Sequence, residues 1–169
     1  MDLFGVLTAA TYGPGAAVVA GLIGGVAFLG VVYGGVAIGM TRMNFLRVLG
    51  SMVAPKATTA ATIAIGVPIH MMMSAAFGLA HAGALTAIGV TSVGSAAAWD
   101  ALIGGAHGVL VLVAMPVMLA MTHPLVRSGD IEEPRAFMTG FGSMTPIGSL
   151  AAHIAFGLVT GSIYAAAVL

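Results

Sequence analysis

Residues 153–164, HIAFGLVTGSIY, and residues 70–81, HMMMSAAFGLAH, follow one template. Each begins with a histidine (His153, His70), has a small residue four places on (Gly157, Ser74) and a glycine at the next such step (Gly161, Gly78), and closes on a ring (Tyr164, His81). Spacing by four puts the histidine and the small residues along one face of a helix. In an apolar helix, small-xxx-small is a face that lets a second backbone come close. Read this way, both stretches are tightly packed helices carrying a buried imidazole, and the fold class is all-α.

Composition places those helices in a bilayer. The 169 residues are 60% hydrophobic and 6% charged, with a mean hydropathy of +1.13. A soluble domain carries about a quarter charged residues, so a polytopic membrane protein is expected, with the lipid bilayer as its first partner. The absence of cysteine excludes disulfides, thiolate metal sites and cysteine nucleophiles. Zero net charge without a basic tract leaves no hold for nucleic acid. Few aromatics and no strand-like alternation argue against a β-barrel.

Apolar runs and their punctuation predict four transmembrane helices in a single domain. Segment 1–13 carries one charge, Asp2, and lacks the basic flank of a secretory signal. Pro14 suits the first turn of a helix, and the uncharged run at about 15–40 is long enough to cross a ~30 Å core. Arg42, Arg47 and Lys56, interleaved with Phe45, Leu46 and Leu49, read as a short interfacial helix ending near Pro55. Aligning His70 with His153 sets the second span at about 63–85. Gly83, Gly89, Gly94 and Ser95 make the remainder of that uncharged run a flexible outer loop. Trp99, at headgroup level, and Asp100 mark the start of a third span at about 101–121. Thr145 and Pro146 open the fourth, at about 146–166.

The start of the third span, ALIGG from Ala101, repeats GLIGG from Gly21, and the histidine template repeats at a similar interval. Two duplicated helical hairpins are therefore expected, with Gly21, Gly24, Gly25, Ser74, Gly78, Gly157 and Gly161 as helix-packing residues. All five Lys and Arg lie in the connections 41–62 and 122–145. The positive-inside rule makes both connections cytoplasmic and puts both termini outside.

A rise of ~1.5 Å per residue converts position into depth. His153 and His70 then lie ~10 Å inside the cytoplasmic boundary, with Met115 and Tyr33 in the same slab. His107 comes near the middle, and His81 and Tyr164 reach the outer interface. Two readings of the shared slab stay open. His70, His153, Met115 and His107 are candidate metal ligands, either as axial imidazoles for haem b or as soft His/Met ligands for copper. Alternatively, the imidazoles only hydrogen-bond neighbouring helices. Met115, Met118 and Met121 form a thioether ladder or fill gaps. Pro68 and Pro116 free the carbonyls of Ala64 and Leu112 and predict kinks. Asp130, Glu132 and Glu133 read as a solvated loop run. GLIGG follows no strand, so phosphate binding is not expected.

At ALIGGAHGVL (101–110), MPVMLAMTHP (115–124) and GSLAAHIAFGLVTGSIYA (148–165), the chain resembles the YagU-like family of small bacterial inner-membrane proteins. The resemblance implies four membrane helices, a bacterial inner-membrane location and no assigned activity. The chain departs from the family pattern at Met71, where an aromatic is usual, and at His81, where Tyr is usual.

No Ser-His-Asp set, HExxH or paired intramembrane carboxylate occurs, so no catalysis is expected. The leading expectation is a non-catalytic membrane protein, working as a homo-oligomer or as an accessory subunit of a larger complex such as a respiratory or copper-dependent oxidase. The alternative is a haem- or metal-binding protein for electron transfer or copper handling. A transporter ranks last, because this reading finds no charged residue inside a span.

Overall fold

The computed structural model describes residues 12–169, and the expectations for segment 1–11, with Asp2, lie outside them. The helices are α1 (Pro14–Ala37), α2 (Phe45–Val53), α3 (Thr59–Ile88), α4 (Val93–Thr122), α5 (Pro124–Ser128) and α6 (Thr145–Val168), with a 3₁₀ turn at Ala136–Phe141. α1, α3, α4 and α6 are each long and apolar enough to cross a membrane.

Local chemistry explains most boundaries. Pro14 opens α1, as its missing N–H allows. The side chains of Asn44 and Thr58 cap α2 and α3 by accepting from the Arg47 and Ala61 N–H groups. α3 ends at Gly89, whose φ of +77° suits glycine. A reciprocal capping box between Ser92 and Ser95 then starts α4.

That box corrects the sequence reading. The second span starts at Thr59 rather than 63 and ends at Ile88 rather than 85. The flexible outer loop shrinks to residues 89–92, because α4 starts at Val93 rather than 101. Trp99 and Asp100 therefore lie inside α4, not at its start. α1 stops at Ala37 instead of 40, and α6 runs from Thr145 to Val168. Both α3 and α4 continue through their prolines, Pro68 and Pro116.

Around the bundle the order is α3, α1, α6, α4: α1 packs along α3 and α6, and α4 along α6. α3 and α4 follow each other in the chain yet scarcely touch, leaving a seam. The packed pairs meet through small residues. A Cβ on Gly21 would overlap the Ser74 carbonyl and the Gly78 backbone, and one on Gly78 would overlap the Ala17 carbonyl. In the other hairpin a Cβ on Gly157 would overlap the Asp100 carbonyl, and one on Gly161 would run into the Ala96 carbonyl and Asp100. Ala17 and Gly21 on α1 thus meet α3 as Ala96 and Asp100 on α4 meet α6. Gly24 abuts Thr160 and Phe156, and Gly25 abuts Ser74.

Both long connections fold over the same end of the bundle. Thr145 donates a hydrogen bond to the Thr41 hydroxyl at 2.8 Å, and the Arg42 N–H reaches the Phe141 carbonyl at 2.7 Å. α2 is not merely interfacial. Its Gly50 presses on the Thr62 carbonyl of α3, and Leu46 and Val48 are buried. His123, fully buried, joins the corner between α4 and α5 to α2. Its Nε2–H donates to the Val48 carbonyl at 3.0 Å, while Nδ1 accepts from the Leu125 and Val126 N–H groups.

Close approach at Gly157 makes its substitution costly. Gly157→Ala should lower stability by about 1–3 kcal/mol through overpacking. Gly148→Ala, on the same helix with nothing near its Cβ, should leave the melting temperature unchanged or raise it. Thermal unfolding of both variants in detergent checks this, and an equal loss in the two would contradict the contact.

Candidate functional site

Histidines that the sequence spreads over three spans come together inside the bundle. A cavity of about 330 Å³ lies in the half of the bundle nearer the connections, and Phe28, His70, His107, Met115, His153 and Phe156 are among its lining residues. The four residues proposed as ligands therefore border one space. Tyr33 does not join them. Its hydroxyl donates to Asn44 Oδ1 at 3.1 Å and accepts from the Leu46 N–H at 3.3 Å, so it secures the start of α2.

His70 is held by α1 and by its own helix. Its Nε2–H donates to the Gly25 carbonyl at 3.0 Å, with the Ser74 hydroxyl 3.4 Å from the same nitrogen. The Gly25 and Ser74 of the packing motif thereby also orient the imidazole. His153 donates from Nδ1 to the Ser149 carbonyl, one turn back, at 2.7 Å. The Phe28 ring packs against both, with centroids 5.4 Å from His70 and 5.0 Å from His153. Two axial imidazoles need a clear space between them, and Phe28 contacts both rings here, which disfavours a haem shared by His70 and His153. Among the described residues no three His, Asp or Glu side chains group closely enough to hold a metal ion. A metal in this cavity would therefore draw on thioethers. Met115 is half-buried at the cavity wall, whereas Met118 and Met121 are 41% and 70% exposed, so the three do not form a buried ladder.

His107 joins the cluster from α4. Its ring lies 4.2 Å from Phe77, 5.0 Å from His153 and 5.7 Å from His81. Its Nδ1 is buried without a hydrogen-bond partner among the described residues.

Beyond His107 lies a pair that the sequence reading missed. Asp100 is 0% exposed and His81 4%, with Asp100 Oδ1 2.6 Å from His81 Nδ1. Asp100 Oδ2 lies over the Gly161 backbone and meets no donor in hydrogen-bonding geometry. Among the described residues, Asp100 is the one Asp, Glu, Lys or Arg placed within a span. The expectation that no charged residue is buried in the membrane is thus overturned. Ser92-x-x-Ser95 before an apolar run was the available signal: as a capping box it starts the helix early enough to enclose Asp100.

The remaining acidic residues behave as a solvated run. Glu132 pairs with Arg42 at 3.1 Å, with both side chains more than half exposed, and Asp130 accepts from the Ser128 hydroxyl at 2.6 Å.

These features define a multi-pass membrane protein with an apolar cavity bordered by His70, His107 and His153, and a buried acid–base pair. Compared with family models, curated proteins and solved structures, the chain matches none.

A buried carboxylate that loses its one partner is expensive. His81→Leu should lower stability by about 3–5 kcal/mol, and adding Asp100→Leu should recover part of that loss. A thermal-unfolding cycle over the two singles and the double measures the coupling. Additive losses would mean that the pair does not act as a unit.

Proposed function

We propose that this chain is a non-catalytic membrane protein that works by packing against another membrane-spanning chain, as a homo-oligomer or as an accessory subunit of a larger complex. One observation carries this reading. Gly21, Gly24, Gly25, Gly78, Gly157 and Gly161 are all used in contacts within the chain, whereas Gly30 and Gly34, one turn apart on α1, meet nothing within 4 Å. Both are exposed, in line with Ile23 and Ala27 on the same helix face. Glycine inside a helix costs roughly 1 kcal/mol relative to alanine. An unused small-xxx-small face in an apolar helix is the form that packs closely against a second helix in lipid. The YagU-like resemblance, with its four helices and bacterial inner-membrane location, fits this reading. The hairpins pack in a related way, Ala17 and Gly21 meeting α3 as Ala96 and Asp100 meet α6, in a register one residue off that of the GLIGG and ALIGG match. We take both connections to be cytoplasmic on the positive-inside rule, since they hold every Lys and Arg.

Because the chain lacks cysteine, a single one introduced at Ala27 reports on this face. Oxidation in native membranes should give a cross-linked species larger than the monomer. Gly30→Leu with Gly34→Leu should abolish it without lowering the melting temperature. Monomer alone from the Ala27→Cys protein would defeat the proposal.

A second reading, copper binding, is favoured by the way His107, His153 and Met115 border one cavity. His153 Nε2 and His107 Nδ1 have no hydrogen-bond partner among the described residues, and soft His/Met sets suit Cu(I). Protein purified from copper-supplied cells should carry about one copper per chain, lost in His153→Phe. Metal analysis showing none removes this reading, and an absorption spectrum without a Soret band removes haem.

A further inference from the structure

We propose that the cavity holds an uncharged, lipid-soluble aromatic ring bearing a hydroxyl, as in a quinol. The ring enters from the bilayer through the seam between α3 and α4, and its hydroxyl donates to His153 Nε2. Neither a partner chain nor a metal is needed for this binding.

The way in is set by which parts of the wall are exposed. Of the described residues that line the cavity, only Phe77 on α3 and Met118 on α4 are exposed, at 37% and 41%. They lie on the two membrane-spanning helices that flank the seam. Met73 on α3 and Val111 and Met115 on α4, also in the wall, are partly exposed. The Phe77 and His107 rings, 4.2 Å apart, bridge the seam at one level. Towards the connections, Phe45 and Leu49 of α2 and the buried Met138 complete the lining. The cavity is therefore reached from hydrocarbon, and apolar side chains stand between it and the connections.

The lining selects the ligand's character. No Asp, Glu, Lys or Arg borders the cavity, so a charged group would be buried there unpaired, at high cost. Seven of the chain's 12 methionines line it, among them Met43, Met73, Met115 and Met138, together with Phe28, Phe45, Phe77 and Phe156. Thioether sulfur makes favourable contacts with ring edges, and flexible methionines mould to a guest. At about 330 Å³ the space falls within the range of small-molecule sites, and a cavity of about 150 Å³ already admits a benzene ring.

The polar handle is His153, which is 7% exposed. Its Nδ1 donates to the Ser149 carbonyl at 2.7 Å, so in the neutral ring Nε2 can only accept. Among the described residues Nε2 has no donor. The other polar groups in the wall are largely committed. Thr41, Ser74 and Thr145 donate their hydroxyls within the protein, and His70 Nε2–H donates to the Gly25 carbonyl. An apolar pocket with one free, buried acceptor discriminates in favour of a ligand that brings a donor.

Native mass spectrometry of the full-length protein in detergent, with a chelator present and oxygen excluded, tests this with decyl-hydroquinone as the probe. One adduct per chain should form and saturate. The dimethyl ether of the same compound and decylbenzene, which lack the donor, should bind about tenfold more weakly, as one net hydrogen bond implies. In His153→Phe the hydroquinone and its ether should bind alike, whereas general damage to the cavity would weaken both and keep the preference. Met115→Trp, which fills the cavity, should bind none of the three and keep its melting temperature. If it does not fold, Val111→Phe serves the same purpose. The absence of a saturable hydroquinone adduct overturns the proposal. So does equal wild-type affinity for hydroquinone, ether and decylbenzene, which would mark a site for any alkyl chain, or a folded cavity-filled variant that still binds.

Discussion

The structure depends on how closely α6 approaches α4. Gly104, Gly157 and Gly161 bring the two backbones together, with a Cβ at any of them running into the carbonyl of His153, Asp100 or Ala96. In lipid there is little hydrophobic drive between helices, so van der Waals contact of this kind supplies the association. The same contact seats a carboxylate in the bundle. Gly161 has no side chain to contest the space beside Asp100, and α3 supplies His81 as its partner. A buried charge without such a partner would be excluded on energetic grounds. Packing and chemistry are therefore one feature of this helix pair.

An unequal closure of the bundle makes the cavity. α1 fills the groove against α6 with Ala20, Gly24 and Phe28, whereas α3 and α4 hardly meet. The two helix pairs α1–α3 and α4–α6 are thus joined tightly along one side and left apart along the other. The aromatic and imidazole rings of Phe28, His70, His107 and His153 occupy part of the resulting space. Among the described residues there are too few convergent His, Asp or Glu groups for a conventional metal centre, yet rings from four helices come into near-contact.

The connection end is held by buried hydrogen bonds more than by charge. His123, Thr41 and Thr145 are almost fully buried and bonded. The Arg42–Glu132 pair is exposed, and such pairs contribute little to stability. The loop over this end adopts left-handed backbone at Arg135, Phe137 and Met138, which places Met138 at the cavity floor. Non-glycine residues in that region are unfavourable unless the surroundings impose it. Here the burial of Met138 and Phe141 does so.

Local pattern determined a good deal. Four apolar runs set the fold class, because a bilayer admits few other solutions. Spacing by four found the packing face through Ser74, Gly78, Gly157 and Gly161, and Pro14 and Pro146 marked two helix starts. It also brought His70 and His153 to one depth, because rise per residue is constant. Side-chain direction across helices was not legible. Tyr33 shares that depth but turns to Asn44, and Phe28 packs against both histidines. Trp99, read as an interfacial marker, puts Asp100 at a helix entrance, but a helix start is set by its caps, and Ser92 and Ser95 lie up to two turns earlier. Only the tertiary structure brought His81, Asp100, His107 and His153 into contact with one another, since their meeting depends on which helices close on one another and which stay apart.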